Sequence, residues 1–394
     1  MATDNKMAHL KTYVCLIFLL GSSDIYTAEL LSFIQKYKAT IPSIEYNERN
    51  SSPNQARIIV DYLCKFIPPS KSSIRTEGKE CLQNKIATAI ENKKPLSLLL
   101  LGFPFKSTNH EKKCLSTHID LGEYFSLITL YTMISNIKLV YSNANCTIIS
   151  DGLAYHIEGY DPSYQEILQY HAEIEDLVRE FPGLSFVSWK ITDEISSYEQ
   201  LQEKVSNTVI EQSVNKIAYD EMSSFVSTEF QCKHWQNVFI AKAKEAFAQQ
   251  QANKKEQKPL KEKLQTQEIN RIKNQIIAKE TGQIVPQLIT QGKKFSTLVA
   301  HVWPIYKECI RLSVHCDKEV IDLNHKIPIS LIQGNLGTPW HNAIVIDTAT
   351  NECKLFKDTA KKKQSFDNKL ICGFDIPAEE GKKISLQYIK DKAS

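Results

Sequence analysis

The fold of this chain is decided by residues 96–107, which read LSLLLLGFPFKS. Four consecutive leucines closed by Gly102 and Pro104 predict a β-strand that is buried on both faces. Lys106 follows directly, and burying its charge at the end of such a strand is costly unless an anionic group meets it. The alternative is a lysine that emerges into solvent where the strand stops. Lys106 is therefore the first candidate for a functional residue.

The size and composition of the chain are those of an ordinary globular protein. At 394 residues it can bury one large core or two modest ones, and 42% of its residues are hydrophobic and 24% charged. The net charge is +3 and no basic stripe with interleaved aromatic residues occurs, so we expect no nucleic-acid partner. Ten cysteines are scattered without a C-x-x-C pair, which predicts reduced thiols rather than a zinc site or a disulfide scaffold.

The N-terminal residues permit two interpretations. Residues 12–20 are apolar, follow Lys11 and precede Gly21-Ser22-Ser23, which is the outline of a short secretory signal. The segment is too short to span a bilayer, and the other interpretation is a first amphipathic helix. We expect a cytoplasmic protein that does not associate with membranes.

Strands and helices alternate in the middle of the chain. After the leucine strand, helical spacing at 123–137 is followed by a strand at 146–150, a helix at 162–180 and a strand at 184–189. This alternation predicts parallel strands joined by crossover helices. Residues of about 195–300 are polar and predict a helical insertion. The fold class is α/β, a mixed sheet with a parallel Rossmann-like part, crossover helices and a helical excursion. Further β patterning occurs at 310–315, 326–332, 342–347, 354–357 and 370–376.

Polar side chains follow three of the predicted strands. Lys106, Asp151 and Lys190 each come where a strand ends. Ligands of open α/β sheets bind beyond the carboxyl ends of the strands, so parallel pairing brings all three into one crevice. Taken in isolation, Asp151-Gly152 is also a common turn.

The segment that follows the helical insertion carries candidate anion-binding residues. Arg311, Ser313 and His315 alternate with Leu312 and Val314 and therefore share one strand face. A guanidinium fork, a hydroxyl and an imidazole suit a phosphate or a carboxylate group. The alternative is the solvated outer face of an edge strand.

Residues 338–341, TPWH, precede an apolar run. Pro339 stiffens this loop, and Trp340 offers a large apolar wall. His341 can act as a general acid or base near neutral pH, although a histidine beside a strand is more often a packed residue.

An iron site is an alternative interpretation. His118-Ile119-Asp120 matches the H-x-D half of a two-histidine, one-carboxylate site, which His301 followed by Arg311 would complete as an Fe(II)/2-oxoglutarate oxygenase. Such sites occur in double-sheet β folds, whereas His118 introduces a helix in an α/β region, and this weighs against it. No P-loop, G-x-G-x-x-G, G-x-S-x-G or H-E-x-x-H motif supports a nucleotide-dependent enzyme or a simple hydrolase.

Several motifs follow one another along the chain: 103–109 FPFKSTN with 120–123 DLGE, 149–152 ISDG, 311–315 RLSVH and 338–341 TPWH. Together they resemble the isocyanide (isonitrile) synthase family, which includes the paerucumarin-type synthases and the fungal spore-wall dityrosine enzyme. They occur in the family's order and the resemblance covers residues of about 30–350. The chain departs from the family at Ile119-Asp120, where a Pro-Asp pair is usual. Asp120 nevertheless occupies a position with a role in the family, so the H-x-D match to an iron site is incidental. Residues of about 195–300 are divergent.

The resemblance implies a carbon–nitrogen bond-forming enzyme of the lyase or transferase type in secondary-metabolite biosynthesis. An amino acid, usually tyrosine or tryptophan, gives its amine to the ketone of ribulose 5-phosphate. The imine is fragmented, and a sugar carbon becomes the isocyanide carbon. No metal or organic cofactor is implied, and a downstream Fe(II)/2-oxoglutarate oxygenase is a possible partner.

The resemblance also assigns roles to residues. Lys106, Arg311 and His315 would anchor the sugar phosphate. The remaining substrate-binding residues would be Ser313, Trp340 and Asp120. The proton donors and acceptors would be Asp151, His341 and Glu123.

The implied organisation is an N-terminal extension at residues 1–26 and an isocyanide-synthase-like α/β domain at residues 27–394, with the helical insertion at about 195–300. Two further alternatives remain, one with a different product and one without enzymatic activity. The same fold could form an N-formyl amino acid, or the chain could be a helical interaction protein that works through the insertion.

Overall fold

The structure is a computed structural model that describes most of the chain between residues 34 and 372. Residues 1–33, with the apolar segment at 12–20, lie outside the described residues, as do Asp151, Lys190 and His315. The described ranges are 34–46, 51–68, 76–107, 114, 117–150, 152–156, 162–188, 216–252, 262–302, 308–314, 326–332, 338–347, 352–356 and 369–372.

A parallel sheet forms the centre of the described structure. Its strands are β1 (Leu96–Leu101), β2 (Ala144–Ser150), β3 (Leu184–Ser188), β4 (Ile310–Ser313) and β5 (Ile327–Pro328). These five described strands lie in the order β3-β2-β1-β4-β5, and every neighbouring pair is parallel. The predicted parallel pairing of the first three strands is confirmed.

Strand β1 is the middle strand, which explains its unbroken run of leucines. Leu98 and Leu100 face the main hydrophobic core, and Leu99 on the opposite face is also buried. A strand covered on both faces has no solvated side, so its sequence does not alternate. Cys146 and Ile310 are the register partners of Leu98 on the two neighbouring strands.

The main core lies between one face of this sheet and the helices α1 (Ser52–Cys64), α2 (Thr76–Glu91), α3 (Leu121–Val140) and α4 (Tyr164–Val178). Helices α3 and α4 are the crossover connections of the parallel strands. Helix α3 is buried on nearly all sides along most of its length, and it extends beyond the predicted helix at 123–137 at both ends.

Between β3 and β4 the described residues form three further helices, α5 (Lys216–Glu229), α6 (Lys233–Ala252) and α7 (Glu262–Val302). They share a hydrophobic cluster of their own, in which Trp235 and Phe239 stack at 5.6 Å and Val285 is fully buried. The polar residues that dominate this region therefore lie mostly on the outer faces of the three helices. We call α5, α6 and α7 the helical unit.

The strands near the C-terminus form a second sheet, made of β6 (Ala343–Asp347), β7 (Glu352–Phe356) and β8 (Lys369–Cys372). It is antiparallel, in the order β7-β6-β8 among the described residues. The α/β class with a parallel part is confirmed, and these antiparallel strands are separate from the parallel sheet. Within the segment predicted as a strand at 326–332, β5 is the part that pairs with another described strand.

In the described part of the chain, no helix combines the length and apolar composition needed to cross a bilayer.

Candidate active site

The order of the parallel strands indicates where a ligand binds. From β1 the chain adds β2 and β3 on one side, and later places β4 and β5 on the other side. The crevice at such a reversal, beyond the carboxyl ends of the strands, is the usual ligand site of open α/β sheets. The loop at residues 102–107, which carries Lys106, leaves β1 at this edge.

Lys106 is buried, with 1% of its surface exposed, so the alternative of a solvent-exposed lysine is wrong. Its Nζ lies 2.9 Å from Oδ2 of Asp120 and 2.8 Å from Oε2 of Glu123. Both carboxylates are themselves buried. The anionic partner that a buried lysine requires is thus supplied by the chain itself. We call Lys106, Asp120 and Glu123 the charge cluster.

The N-terminus of α3 holds the two carboxylates in place. Asp120 is the N-cap residue, and its Oδ1 accepts a hydrogen bond from the Gly122 N–H at 2.6 Å. Glu123 completes the capping box, since its Oε2 accepts from the Asp120 N–H at 2.9 Å. The Tyr170 hydroxyl on α4 donates to Oε1 of Glu123 at 3.0 Å. The residues that start the helix therefore also position the charges.

The cluster has an uneven charge, which together with burial shifts the pKa of Lys106 and the pKa of Asp120. Burial lowers the pKa of the Lys106 ammonium, but Asp120 and Glu123 together raise it by more, so Lys106 stays protonated. Burial raises the pKa of the Asp120 carboxyl to about 7; Lys106 opposes this rise and the charge of Glu123 adds to it. One ammonium beside two carboxylates leaves a buried negative charge, which a proton on Asp120 removes.

The segment with Trp340 packs against the loop that carries Lys106. The Trp340 ring is buried and lies 4.8 Å from the ring of Phe103, and a Cβ on Gly102 would come within 2.8 Å of the indole. The His341 ring lies 5.9 Å from that of Phe105. Two motifs more than two hundred residues apart thus form one aromatic wall.

Ser107, the neighbour of Lys106, joins this loop to two distant segments. Its N–H donates to the Trp340 carbonyl at 3.2 Å. Its hydroxyl lies 3.0 and 2.9 Å from the two carboxylate oxygens of Glu229, the last residue of α5. The helical unit therefore reaches the site, and nothing in the sequence around Glu229 indicates this.

Arg311 and Ser313 lie on β4, directly beside β1. Arg311 is in register with Leu99 and therefore lies on the sheet face opposite the main core, and both residues are half-buried. The shared face predicted for the pair is present. Asp151 and His315 fall outside the described residues, so their predicted roles stay predictions.

The two residues of the H-x-D match have different partners. The His118 Nδ1 lies 2.6 Å from Oε1 of Glu173, whereas Asp120 belongs to the charge cluster. Glu173 also accepts from the Ile119 N–H at 3.1 Å. No group of three or more His, Cys, Asp or Glu side chains that could hold a metal occurs among the described residues.

Helix α4 contributes site-forming residues that the sequence motifs do not reveal. Tyr170, His171 and Glu173 are buried polar residues between the buried Ile167 and Ile174. The sequence signal that could have identified these residues is the presence of three polar side chains on the inward face of an amphipathic helix. Such residues require partners when buried, but the sequence does not say which loops supply them.

Residues 86–368 match the sequence model of the pyoverdine/dityrosine biosynthesis protein family, which is well over half of the chain. This chain belongs to that family. The predicted family is confirmed, and all motifs of the resemblance lie inside the matched residues. The charge cluster and the aromatic wall are therefore features of an enzyme of this family.

The names of similar proteins are informative. AmbI2, an L-tryptophan isonitrile synthase of Fischerella ambigua, is 24% identical over 268 residues, which are 67% of this chain and 72% of that protein. AmbI1, named likewise, is 24% identical over 275 residues, 66% of this chain and 73% of that protein. The isocyanide synthase xanB of Aspergillus fumigatus is 26% identical over 291 residues, 69% of this chain but 35% of that protein.

A solved structure is also similar. The crystal structure of the PvcA protein from Pseudomonas aeruginosa has 18% sequence identity and a TM-score of 0.48, and the match covers 78% of this chain and 94% of that one.

Removal of the Lys106 charge is expected to destabilise the protein strongly. Lys106→Met leaves two buried carboxylates without a counter-charge, so the free energy of unfolding should fall by about 3–5 kcal/mol. Adding Asp120→Asn to this variant removes the need to hold either a charge or a proton at residue 120 and should restore part of the loss. Denaturant titrations measure the free energy of unfolding of both variants.

The control is Lys79→Met. It breaks an ion pair whose side chains are 40% and 42% exposed and should cost at most about 1 kcal/mol. A double variant less stable than Lys106→Met would contradict the interpretation.

Asp120 is expected to make stability depend on pH. Its pKa is about 7 in the fold against an ordinary 3.8, so between these values the folded protein holds a proton that the unfolded chain has lost. The free energy of unfolding contributed by this group is present at low pH and falls as pH rises towards 7, by at most about 1.4 kcal/mol per pH unit.

Asp120→Asn removes this dependence. The difference in free energy of unfolding between the wild-type protein and the variant should therefore fall between about pH 4 and about pH 7. Paired denaturant titrations across that range provide the measurement. A difference that is constant or rises with pH would show that Asp120 is ionised throughout.

Proposed function

We propose that this enzyme is an isocyanide synthase that converts the amino group of an aromatic L-amino acid into an isocyanide, with ribulose 5-phosphate as the carbon donor. The family match over residues 86–368 carries the proposal, since relatives that share about two thirds of this chain are named isonitrile or isocyanide synthases. The position of the charge cluster at the strand-order reversal supports it.

Arg311 is the principal phosphate anchor in this proposal. It lies on the strand beside β1 where the strand order reverses. A guanidinium keeps its charge at all relevant pH values and binds phosphate oxygens through two parallel hydrogen bonds. Ser313 shares its strand face and adds a hydroxyl donor, and His315 is assigned as a further contact.

Lys106 contributes to phosphate binding from within the charge cluster. When both carboxylates are ionised, they outweigh its charge, and the cluster repels an anion. Protonation of Asp120 makes the cluster neutral and leaves the ammonium with a single counter-charge from Glu123. Phosphate binding and proton uptake by Asp120 are therefore coupled and favour each other.

Trp340 binds the amino-acid substrate. Its ring forms the aromatic wall with Phe103, which suits an aromatic side chain. Its buried indole Nε1 has no hydrogen-bond partner among the described residues. A buried unpaired donor costs about 1–3 kcal/mol, so an acceptor on the substrate, such as its carboxylate, would be bound favourably there.

The proton transfers fall to Asp151, Glu123 and His341. Condensation of the amine with the ketone releases water and requires a proton on the departing oxygen. Cleavage of the sugar carbon chain then requires proton acceptors and donors close to the imine. Glu123 is held by Tyr170 and by the helix N-terminus, so its carboxylate is preorganised for this role.

We also place the enzyme in the cytoplasm, acting on small molecules without nucleic acid or membrane. Its isocyanide product suits a downstream Fe(II)/2-oxoglutarate oxygenase. Residues 27–394 form the catalytic domain in this proposal, with the insertion at about 195–300.

Isocyanide formation is tested directly with the purified protein. Incubation with L-tryptophan or L-tyrosine and ribulose 5-phosphate should produce an isocyanide stretching band in the infrared spectrum. Ribulose 5-phosphate labelled with ¹³C at its ketone carbon should shift that band to lower frequency, because that carbon enters the product. Reactions without the sugar phosphate are the control. A product heavier than the isocyanide by one water would indicate N-formyl amino acid formation instead, and no product from any amino acid would refute the proposal.

The anchoring role of Arg311 is tested by its effect on each substrate. Arg311→Ala should raise the KM for ribulose 5-phosphate at least tenfold, since losing a desolvated charged contact costs roughly 2–5 kcal/mol. The KM for the amino acid should change little. Arg179→Ala, which removes a 66% exposed arginine just past the end of α4, is the matched control. An equal increase in both KM values would count against phosphate anchoring.

A further inference from the structure

A buried histidine lies where the carboxyl ends of three strands meet. His171, on α4, is 2% exposed. Its Nε2 is 2.6 Å from the Ser150 hydroxyl at the end of β2 and 2.8 Å from the Pro104 carbonyl in the loop after β1. Its Nδ1 is 2.6 Å from the Ser188 hydroxyl at the end of β3. One imidazole therefore contacts all three segments.

The directions of these hydrogen bonds follow from what each group can do. The Ser150 hydroxyl donates to the Phe103 carbonyl at 2.9 Å, so it accepts from His171. The Pro104 carbonyl only accepts, which places the proton of a neutral imidazole on Nε2. Nδ1 then accepts from the Ser188 hydroxyl. Burial lowers the pKa of His171 to about 4, so the ring is neutral at physiological pH.

The network restrains a turn that is unfavourable by itself. Phe103 has φ +55°, in the left-handed region that side chains other than glycine rarely adopt. Its carbonyl accepts from Ser150 and that of Pro104 accepts from His171, so both backbone acceptors of the network belong to this turn. On the other side, a Cβ on Gly152 would lie 1.9 Å from the Pro104 oxygen, so the β2 turn packs directly against this loop.

We propose that His171 and Ser150 are positioning residues for the reaction, which hold the turn at Phe103 and Pro104 so that Lys106 is directed into the charge cluster. Lys106 follows Pro104 by two residues, so a change in the turn moves the ammonium relative to Asp120. This inference rests on the proposed function for its catalytic part. Its structural part concerns the conformation of the loop and stands independently.

His171 does not act as a proton carrier in this proposal. Both of its nitrogens are hydrogen-bonded to protein groups, and the ring is almost wholly buried. A histidine in that arrangement fixes the geometry of its neighbours and has no nitrogen left for a substrate.

Four variants separate positioning from other effects. His171→Leu removes every hydrogen bond of the ring, and His171→Gln keeps an amide donor near the position of Nε2. Ser150→Ala removes a single oxygen from the network. Ser185→Ala is the matched control, since Ser185 lies on β3 on the opposite face from Ser188 and donates to Thr147 at 3.0 Å near the surface.

Hydrogen exchange of residues 102–107 reports the loop directly. The Gly102 and Ser107 amides, which bond to the Ile149 and Trp340 carbonyls, should exchange at least about tenfold faster in His171→Leu and Ser150→Ala. His171→Gln should be close to wild type and Ser185→Ala unchanged. Unaltered exchange in both disruptive variants, or an equal effect in Ser185→Ala, would overturn the proposal. If His171→Leu fails to fold, the exchange rates measured in Ser150→Ala decide whether the proposal holds.

Steady-state kinetics test the catalytic part. In His171→Leu and Ser150→Ala, kcat should fall roughly tenfold to hundredfold while the KM of each substrate changes little, since misplaced groups slow the reaction more than they weaken binding. His171→Gln should recover most of kcat. Faster exchange with unchanged kcat would overturn the link to catalysis. If the wild-type protein makes no isocyanide, the proposed function fails, whereas the exchange measurement still decides the positioning.

Discussion

The buried ammonium of Lys106 determines how the rest of the site is arranged. A lysine at the end of a strand covered on both faces cannot reach water, so its charge must be offset inside the protein. Asp120 and Glu123 do this while also capping α3, the helix that crosses from β1 to β2. One structural unit therefore includes the end of β1, the start of α3 and the charges of the site. A change in any of these three affects the other two.

Burial also determines which other groups surround this unit. Buried polar atoms need partners in the chain, and α4 supplies two of these, Tyr170 for Glu123 and His171 for the Pro104 carbonyl. The crossover helix that follows β2 thus completes a site whose charges come from β1 and α3. The reversal of strand order brings Arg311 to the strand beside β1. Sequence motifs far apart meet because the parallel topology brings their strand ends to the same edge.

The parts of the structure that depend on local pattern could be predicted from the sequence. The run of leucines identified β1 because burial on both faces leaves a strand no polar positions, and the alternation of strands and helices indicated parallel pairing. Motif spacing identified the family. The partners of Lys106 were named within a motif, but their capping geometry was not foreseen. The contacts of His171 and Glu229 depend on how distant helices pack, which hydrophobic periodicity does not encode.

The contact between Ser107 and Glu229 has a mechanical consequence. Glu229 ends α5, and α5 shares a hydrophobic cluster with α6 and α7. Three helices with a common core resist internal shear, so a displacement at Glu229 is carried through all of them. A molecule that entered beside Lys106 and exchanged hydrogen bonds with Ser107 would therefore act on the end of α5, while contacts between α7 and Gly152–Tyr155 keep the helical unit attached to the rest of the structure. The loop that carries Lys106 and the whole helical unit would then respond to a ligand together.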